Sequence, residues 1–179
     1  NYEAEISSRG EKLPHYTEVG VGFSKMCLTP MLEYGRQALE DNKKGVATEA
    51  LEQVVLAIVV TTAIVSIFLT RDFTPDYNSG LAHACFYALT AYPVIEKEHL
   101  HGEVVGFGVL YALLVDGQQE EFEKIYALNK ELGLPVRIAD IGITEEQFFE
   151  TMDRIPQMSD IRHYPYAVTK EMLMQAYET

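Results

Sequence analysis

Tryptophan is absent from this 179-residue chain, cysteine occurs only twice, and basic residues are scarce, with 14 Lys and Arg against 27 Asp and Glu for a formal charge of −13. Each scarcity closes a class of function. Cys27 and Cys85 lie far apart and form no CxxC pair, which argues against cysteine-based zinc modules and thioredoxin-type redox motifs and favours a reduced chain. The acidic excess repels phosphate backbones, and no Lys/Arg cluster offsets it locally, so nucleic acid is not an expected partner. The opening residues, "NYEAEISSRG", are polar and carry no secretory signal, and a cytoplasmic location is expected.

Long hydrophobic runs are also few. The longest, Val54 to Leu69, reads "VVLAIVVTTAIVSIFL". At helical rise it covers roughly 24 Å, short of a hydrocarbon core of about 30 Å. Thr61, Thr62 and Ser66 interrupt it, and Glu49 and Glu52 precede it closely. The expectation is a helix buried on most sides rather than a membrane span, and sixteen residues is far too long for an ordinary strand.

What is present suits a folded domain: 47% hydrophobic and 23% charged residues, in a length that supports one substantial core. The pattern is helical throughout. Tyr16 to Asp41 is expected as a helix kinked or divided at Pro30 and stopped by Gly45. Thr48 caps the next, with Glu49 and Glu52 suited to its N-terminal dipole. "TRDFTPDYNSG", Thr70 to Gly80, reads as a long loop, and Asn78 or Ser79 caps a helix through about Ala91. A connection follows Pro93, then a helix from Gly102 to Val115. Gln118 to Leu132 spaces Phe122, Ile125, Tyr126, Leu128 and Leu132 on one face and stops at Gly133. Thr144 with Gln147 forms a capping box, and Thr169 opens a terminal helix. With no βαβ alternation or repeat, the fold class is all-α.

Few residues carry chemistry. His83 stands near one helix start and His101 at another, where a histidine is ordinarily packed or capping, and two histidines fall short of the three protein ligands of a catalytic zinc site. His99 and His101 are two apart, so they face different ways and do not form a metal pair by themselves. His15 and His163 sit in turn-like segments beside proline. Cys85 points away from His83 on a helix and offers no His/Cys nucleophile pair. Gly102, Gly106 and Gly108 follow no strand and have the wrong order for a dinucleotide loop; Gly102 and Gly106 are expected to ease close helix packing, and Glu103 to serve as an acid in a first helical turn.

The stretch Asn78 to Leu110, "NSGLAHACFYALTAYPVIEKEHLHGEVVGFGVL", resembles the C-terminal helical domain of the metal-dependent, iron-containing type of alcohol dehydrogenase. His83-Ala84 and His101-Gly102-Glu103-Val104-Val105-Gly106 stand at the places of that family's two motifs, and their separation resembles its glycerol dehydrogenase branch. Weaker similarity runs through "MLEYGRQALEDNKKGVATEALEQVV", "LGLPVRIADIGIT" and "IRHYPYAVTKEML".

The resemblance implies a helical bundle of the dehydroquinate synthase-like, glycerol dehydrogenase-like fold, with residues 1–179 forming one metal-binding domain. It implies His83 and His101 as ligands of a divalent metal, Zn or Fe(II). It also implies a third ligand, an aspartate, and an N-terminal α/β domain that binds NAD, both outside this chain. The implied activity of the intact enzyme is NAD-dependent oxidation of a small alcohol or polyol, with the isolated chain inactive. A homo-oligomer is expected, because the missing half otherwise leaves apolar surface exposed. The catalytic residues themselves stay unassigned. Phe86 and Tyr87 depart from the family, which often has a further histidine there, and they support the alternative of a non-catalytic helical binding module.

Overall fold

A computed structural model describes residues 13–70 and 75–179. Among them there is no strand, and eight α-helices carry the fold. The chain divides into two compact units, one ending at Asn78 and the other running from Ser79 to Thr179.

The first unit is a helical hairpin. Helix α1, His15–Lys44, runs through Pro30 without division. The proline forfeits one backbone hydrogen bond, to the carbonyl four residues back, and the other bonds of a 30-residue helix carry it through. Gly45, at φ 67°, takes the left-handed conformation that ends the helix. Helix α2, Glu49–Leu69, starts where Thr48 accepts the amide of Leu51 at 3.3 Å. The Thr48 hydroxyl also donates to Asp41 at 2.7 Å, and Gln37 donates to the same buried carboxylate. The hairpin corner is therefore fixed by side chains on both helices. At its other end, Gly20 lies against Phe68 and Leu69 of α2.

Helix α2 departs from expectation twice. It is 21 residues long, about 31 Å at helical rise, because it begins at the Thr48 cap and the threonines do not end it. Thr62 Oγ1 donates to the carbonyl of Ala57 at 3.0 Å inside a π-helical turn, Ala57–Thr61. Nor is it buried on most sides. Ala57, Val65 and Leu69 are covered, while Val55, Leu56, Ile58, Val59, Val60, Ile64 and Ile67 are exposed, Ile67 to 68%. Apolar residues all round a helix reveal its hydrophobicity and not its partners. By length and composition alone, α2 is the one helix among the described residues able to cross a membrane.

The second unit holds the larger core. Its helices are α3 (Gly80–Leu89), α4 (Pro93–Glu98), α5 (His101–Val115), α6 (Gln119–Leu132), α7 (Glu145–Arg154) and α8 (Lys170–Tyr177). Where a connection was expected after Pro93, the proline instead occupies the first position of the short α4, where its missing N–H costs nothing. The Thr144 capping box and the Thr169 cap form as read from the sequence, and Gly133 ends α6 at φ 74°. Leu81, Ala84, Cys85, Ala88 and Leu89 of α3 pack with Val104, Phe107 and Tyr111 of α5, and with Phe148, Met152 and Leu173 from α7 and α8. Aromatic edges tie the layers together: Phe148 meets Phe107 at 5.9 Å and Tyr111 at 5.1 Å between centroids. This packing fixes the first turns of α3 and α5, where the candidate site lies.

Candidate metal centre

Helices α3 and α5 approach closely because one glycine permits it. A Cβ on Gly108 would stand 2.5 Å from the carbonyl oxygen of Ala82, an impossible contact. The expected packing glycines contribute less: Gly102 has nothing within 4 Å, and Gly106 faces the Asn129 amide at 3.8 Å. Sequence spacing identified a glycine-lined face but not the point where the neighbouring backbone crosses it.

That contact sets the first turn of α3 beside the first residue of α5. His83 and His101, eighteen positions apart, come together with ring centroids 5.4 Å apart and planes inclined by 46°. Two imidazoles sharing one tetrahedral cation at N–metal distances of about 2.1 Å place their centroids about 5 Å apart. The observed spacing fits that geometry.

One tautomer of His83 is fixed by its surroundings. Its Nδ1 lies 3.0 Å from the carbonyl oxygen of Ser79, which can only accept, so Nδ1 carries the proton and Nε2 keeps its lone pair. Burial lowers the pKa of this half-buried ring, while the bond to Ser79 raises it, His101 lowers it and Asp160 raises it. The net shift is downward and favours the neutral form that binds cations. His101 is exposed at the N-terminus of α5 and meets Phe86 edge-on, at 4.4 Å and 80°. The rings thus reach the pair from one protein wall. No third His, Cys, Asp or Glu completes a metal-binding group among the described residues.

The other polar residues of interest serve different ends. His99 lies between α4 and α5, with Nδ1 3.7 Å from the Glu103 carboxylate. Glu103 also accepts the Leu100 amide at 2.9 Å, so it holds the N-terminus of α5, as an acid in a first helical turn should. His15 opens α1 and pairs with Glu18 at 3.5 Å, and His163 lies half-buried in a turn near Tyr164 in the sequence. Cys85 is fully buried, its thiol pushed up to about 12 by desolvation, and is no nucleophile. A separate cleft of about 630 Å³, lined by Phe107, Tyr111, Phe148 and Tyr177 among others, includes neither His83 nor His101. Sequence reading missed two contributors. The Ser79 carbonyl is invisible in side-chain patterns, although its i, i+4 relation to His83 on a helix start was available. Asp160 is brought near α3 by a 3₁₀ turn, Ser159–Ile161, that no local signal announced.

No protein-family model matches the chain. Among curated proteins it is 31% identical over 131 residues to a glycerol dehydrogenase of Escherichia coli, covering 73% of this chain and 33% of that protein. It is 30% identical over 158 residues to a glycerol dehydrogenase of Thermotoga maritima, covering 83% of this chain and 40% of that protein. The chain therefore spans well under half the length of these relatives. Among solved structures, a probable glycerol dehydrogenase from Sinorhizobium meliloti superposes over 98% of this chain and 49% of its own, with a TM-score of 0.78 at 21% identity. Glycerol dehydrogenase from Schizosaccharomyces pombe superposes over 89% of this chain, with a TM-score of 0.70 at 23% identity. At those identities the structures speak for the fold, and both agree with the all-α arrangement.

Proposed function

From the premise that this chain is a relative of the glycerol dehydrogenases, we propose that it supplies the metal-holding wall of an NAD-dependent dehydrogenase acting on a small alcohol or polyol. The observation that carries this is the 5.4 Å pairing of His83 and His101, with His83 locked by Ser79 into the tautomer that frees Nε2. In this reading the two histidines hold a zinc or ferrous ion together with an aspartate from outside this chain. An N-terminal nucleotide-binding domain brings NAD, and the assembled enzyme is a homo-oligomer in the cytoplasm.

A cation bound there supplies Lewis acidity that lowers the pKa of an alcohol hydroxyl. NAD brought by the nucleotide-binding half would supply the two-electron acceptor, so that oxidation of the alcohol to a carbonyl compound would release one proton to solvent. The residues of this chain serve to orient. Ser79 fixes the His83 ring, Glu103 holds the helix start that carries His101, and Phe86 meets the His101 ring edge-on and supports its position. With two ligands among its described residues, this chain by itself binds metal weakly and does not turn over substrate.

The test has two arms. Equilibrium dialysis against zinc should show retention by this chain that falls at least tenfold in His83→Ala and in His101→Ala. The chain joined to the nucleotide-binding half of a glycerol dehydrogenase should reduce NAD with glycerol or another alcohol. Unchanged zinc retention in both variants, or no NAD reduction with any alcohol, sinks the proposal.

A further inference from the structure

The helix that carries His83 also builds a surface beside it. Residues 83, 86 and 87 are three and four positions apart and share one face of α3. Phe86 touches the His101 ring edge-on at 4.4 Å, and Tyr87 lies 5.2 Å from Phe86 and 6.3 Å from His83. Phe86 packs in part against the edge of the core, and Tyr87 lies outside it. The core is filled from the opposite face of α3 by Leu81, Ala84, Cys85, Ala88 and Leu89, each 1% exposed or less. Phe86 is half-buried and Tyr87 is 46% exposed. Among the described residues, Tyr87 is thus left open beside the histidine pair and Phe86 is covered only in part.

Such a wall selects by what it cannot do. A phenyl edge offers no hydrogen-bond donor or acceptor, so a hydroxyl pressed against Phe86 loses water and gains no partner. A polyol carries a hydroxyl on each carbon next to the reacting one. A substrate with a flat apolar group at that position instead stacks on the rings and buries them.

We propose that Phe86 and Tyr87 set the substrate class of the His83–His101 site: an alcohol whose carbinol carbon bears an aryl or similarly flat apolar group, in preference to a polyol. This rests on the metal-assisted alcohol oxidation proposed above and narrows it. The same redox step applies to either substrate, so the difference lies wholly in what the wall accepts. Discrimination against one unpartnered hydroxyl should reach roughly tenfold or more.

Saturation-transfer NMR on this chain in excess zinc tests it directly, with 1-phenylethanol and glycerol as probes. Transfer to 1-phenylethanol should be strong and depend on zinc. It should fall at least fivefold in Phe86→Ala and in Tyr87→Ala, the latter at an exposed position where folding is not at risk. Glycerol should receive little in the parent chain and gain in Phe86→His. Glycerol equal to or stronger than 1-phenylethanol, or an aryl signal unchanged in both alanine variants, overturns the inference. Zinc content measured on the same samples separates the two levels. If the parent chain retains no zinc, the metal reading falls and takes this one with it. If zinc is retained and the aryl preference is missing, only the substrate assignment falls.

Discussion

Gly108 and the carbonyl oxygen of Ala82 face each other so closely that a Cβ at position 108 would stand 2.5 Å from that oxygen. The obstacle is backbone, which cannot rotate away, so Gly108→Ala must push α3 and α5 apart. The expected cost is about 1–3 kcal/mol, in the range of overpacked cores. The same shift separates His83 from His101, so zinc retention should fall together with the urea midpoint. Gly102→Ala, facing open space in the same helix, should be neutral or stabilise by up to about 1 kcal/mol. Equal effects of the two substitutions would contradict the close approach.

Thr48 serves two groups at once, capping α2 through the Leu51 amide and donating to the buried Asp41 carboxylate. Thr48→Ala should therefore cost more than a simple cap, about 2 kcal/mol, because Asp41 keeps only Gln37. Thr48→Ser should recover most of it. Hydrogen exchange across 49–69 reads the loss locally, and unchanged protection in Thr48→Ala would refute the shared role.

The two faces of α2 should respond oppositely to substitution. Leu69 is 2% exposed and packs against Gly20, so Leu69→Ala should cost about 2–4 kcal/mol. Val59 is 63% exposed, and Val59→Thr should change stability by no more than about 0.5 kcal/mol. A large loss at Val59 in denaturant unfolding would mean that this face is covered.

Asp140 gives a pH signature. Its carboxylate accepts the amides of Val136 and Arg137 at 3.1 and 3.0 Å, and the Arg137 guanidinium pairs with it. The Val136 bond is the leading cause of a pKa held below the usual value of 3.8, with the Arg137 side chain adding to it. A carboxylate depressed in the folded state stabilises fully above its unfolded pKa, and that contribution is lost as pH falls through the folded pKa. Asp140→Asn should thus lower stability by about 1 kcal/mol at pH 7. The gap from the parent chain should close below the normal carboxylate range. A gap that persists there would assign the effect to shape instead of charge.

Local chemistry was the legible part of this fold. Thr48, Thr144 and Thr169 act where they were read, because a cap involves residues three apart in sequence. Periodicity likewise placed α6 and its apolar face. What failed depended on partners distant in sequence. The run around Val54 to Leu69 read as buried, yet α1 and the short turn Pro75–Asn78 cover only part of it within its unit, and apolarity carries no record of what lies opposite. Pro93 read as a breaker because a proline that stops one helix and a proline that starts another look alike from one side. At the site, His83 and His101 stood out only through a family resemblance. Their proximity depends on the Gly108–Ala82 crossing, which no spacing rule contains. Residue 86 was visible as a departure from the family, but its contact with His101 was not.

The π-helical turn at Ala57–Thr61 amounts to one residue inserted into an otherwise regular helix. Each residue of an α-helix turns the chain by roughly 100°, so everything after the turn is rotated by about that much relative to an uninterrupted helix. Val65 and Leu69 point at α1 only because of that offset. Removing one residue between 57 and 61 would let the segment close into a regular α-helix and leave Val65 and Leu69 facing as they do now. The register of the hairpin is stored in a residue count from which a codon can be taken but to which none can be added, because a second extra residue would turn Val65 and Leu69 away from α1.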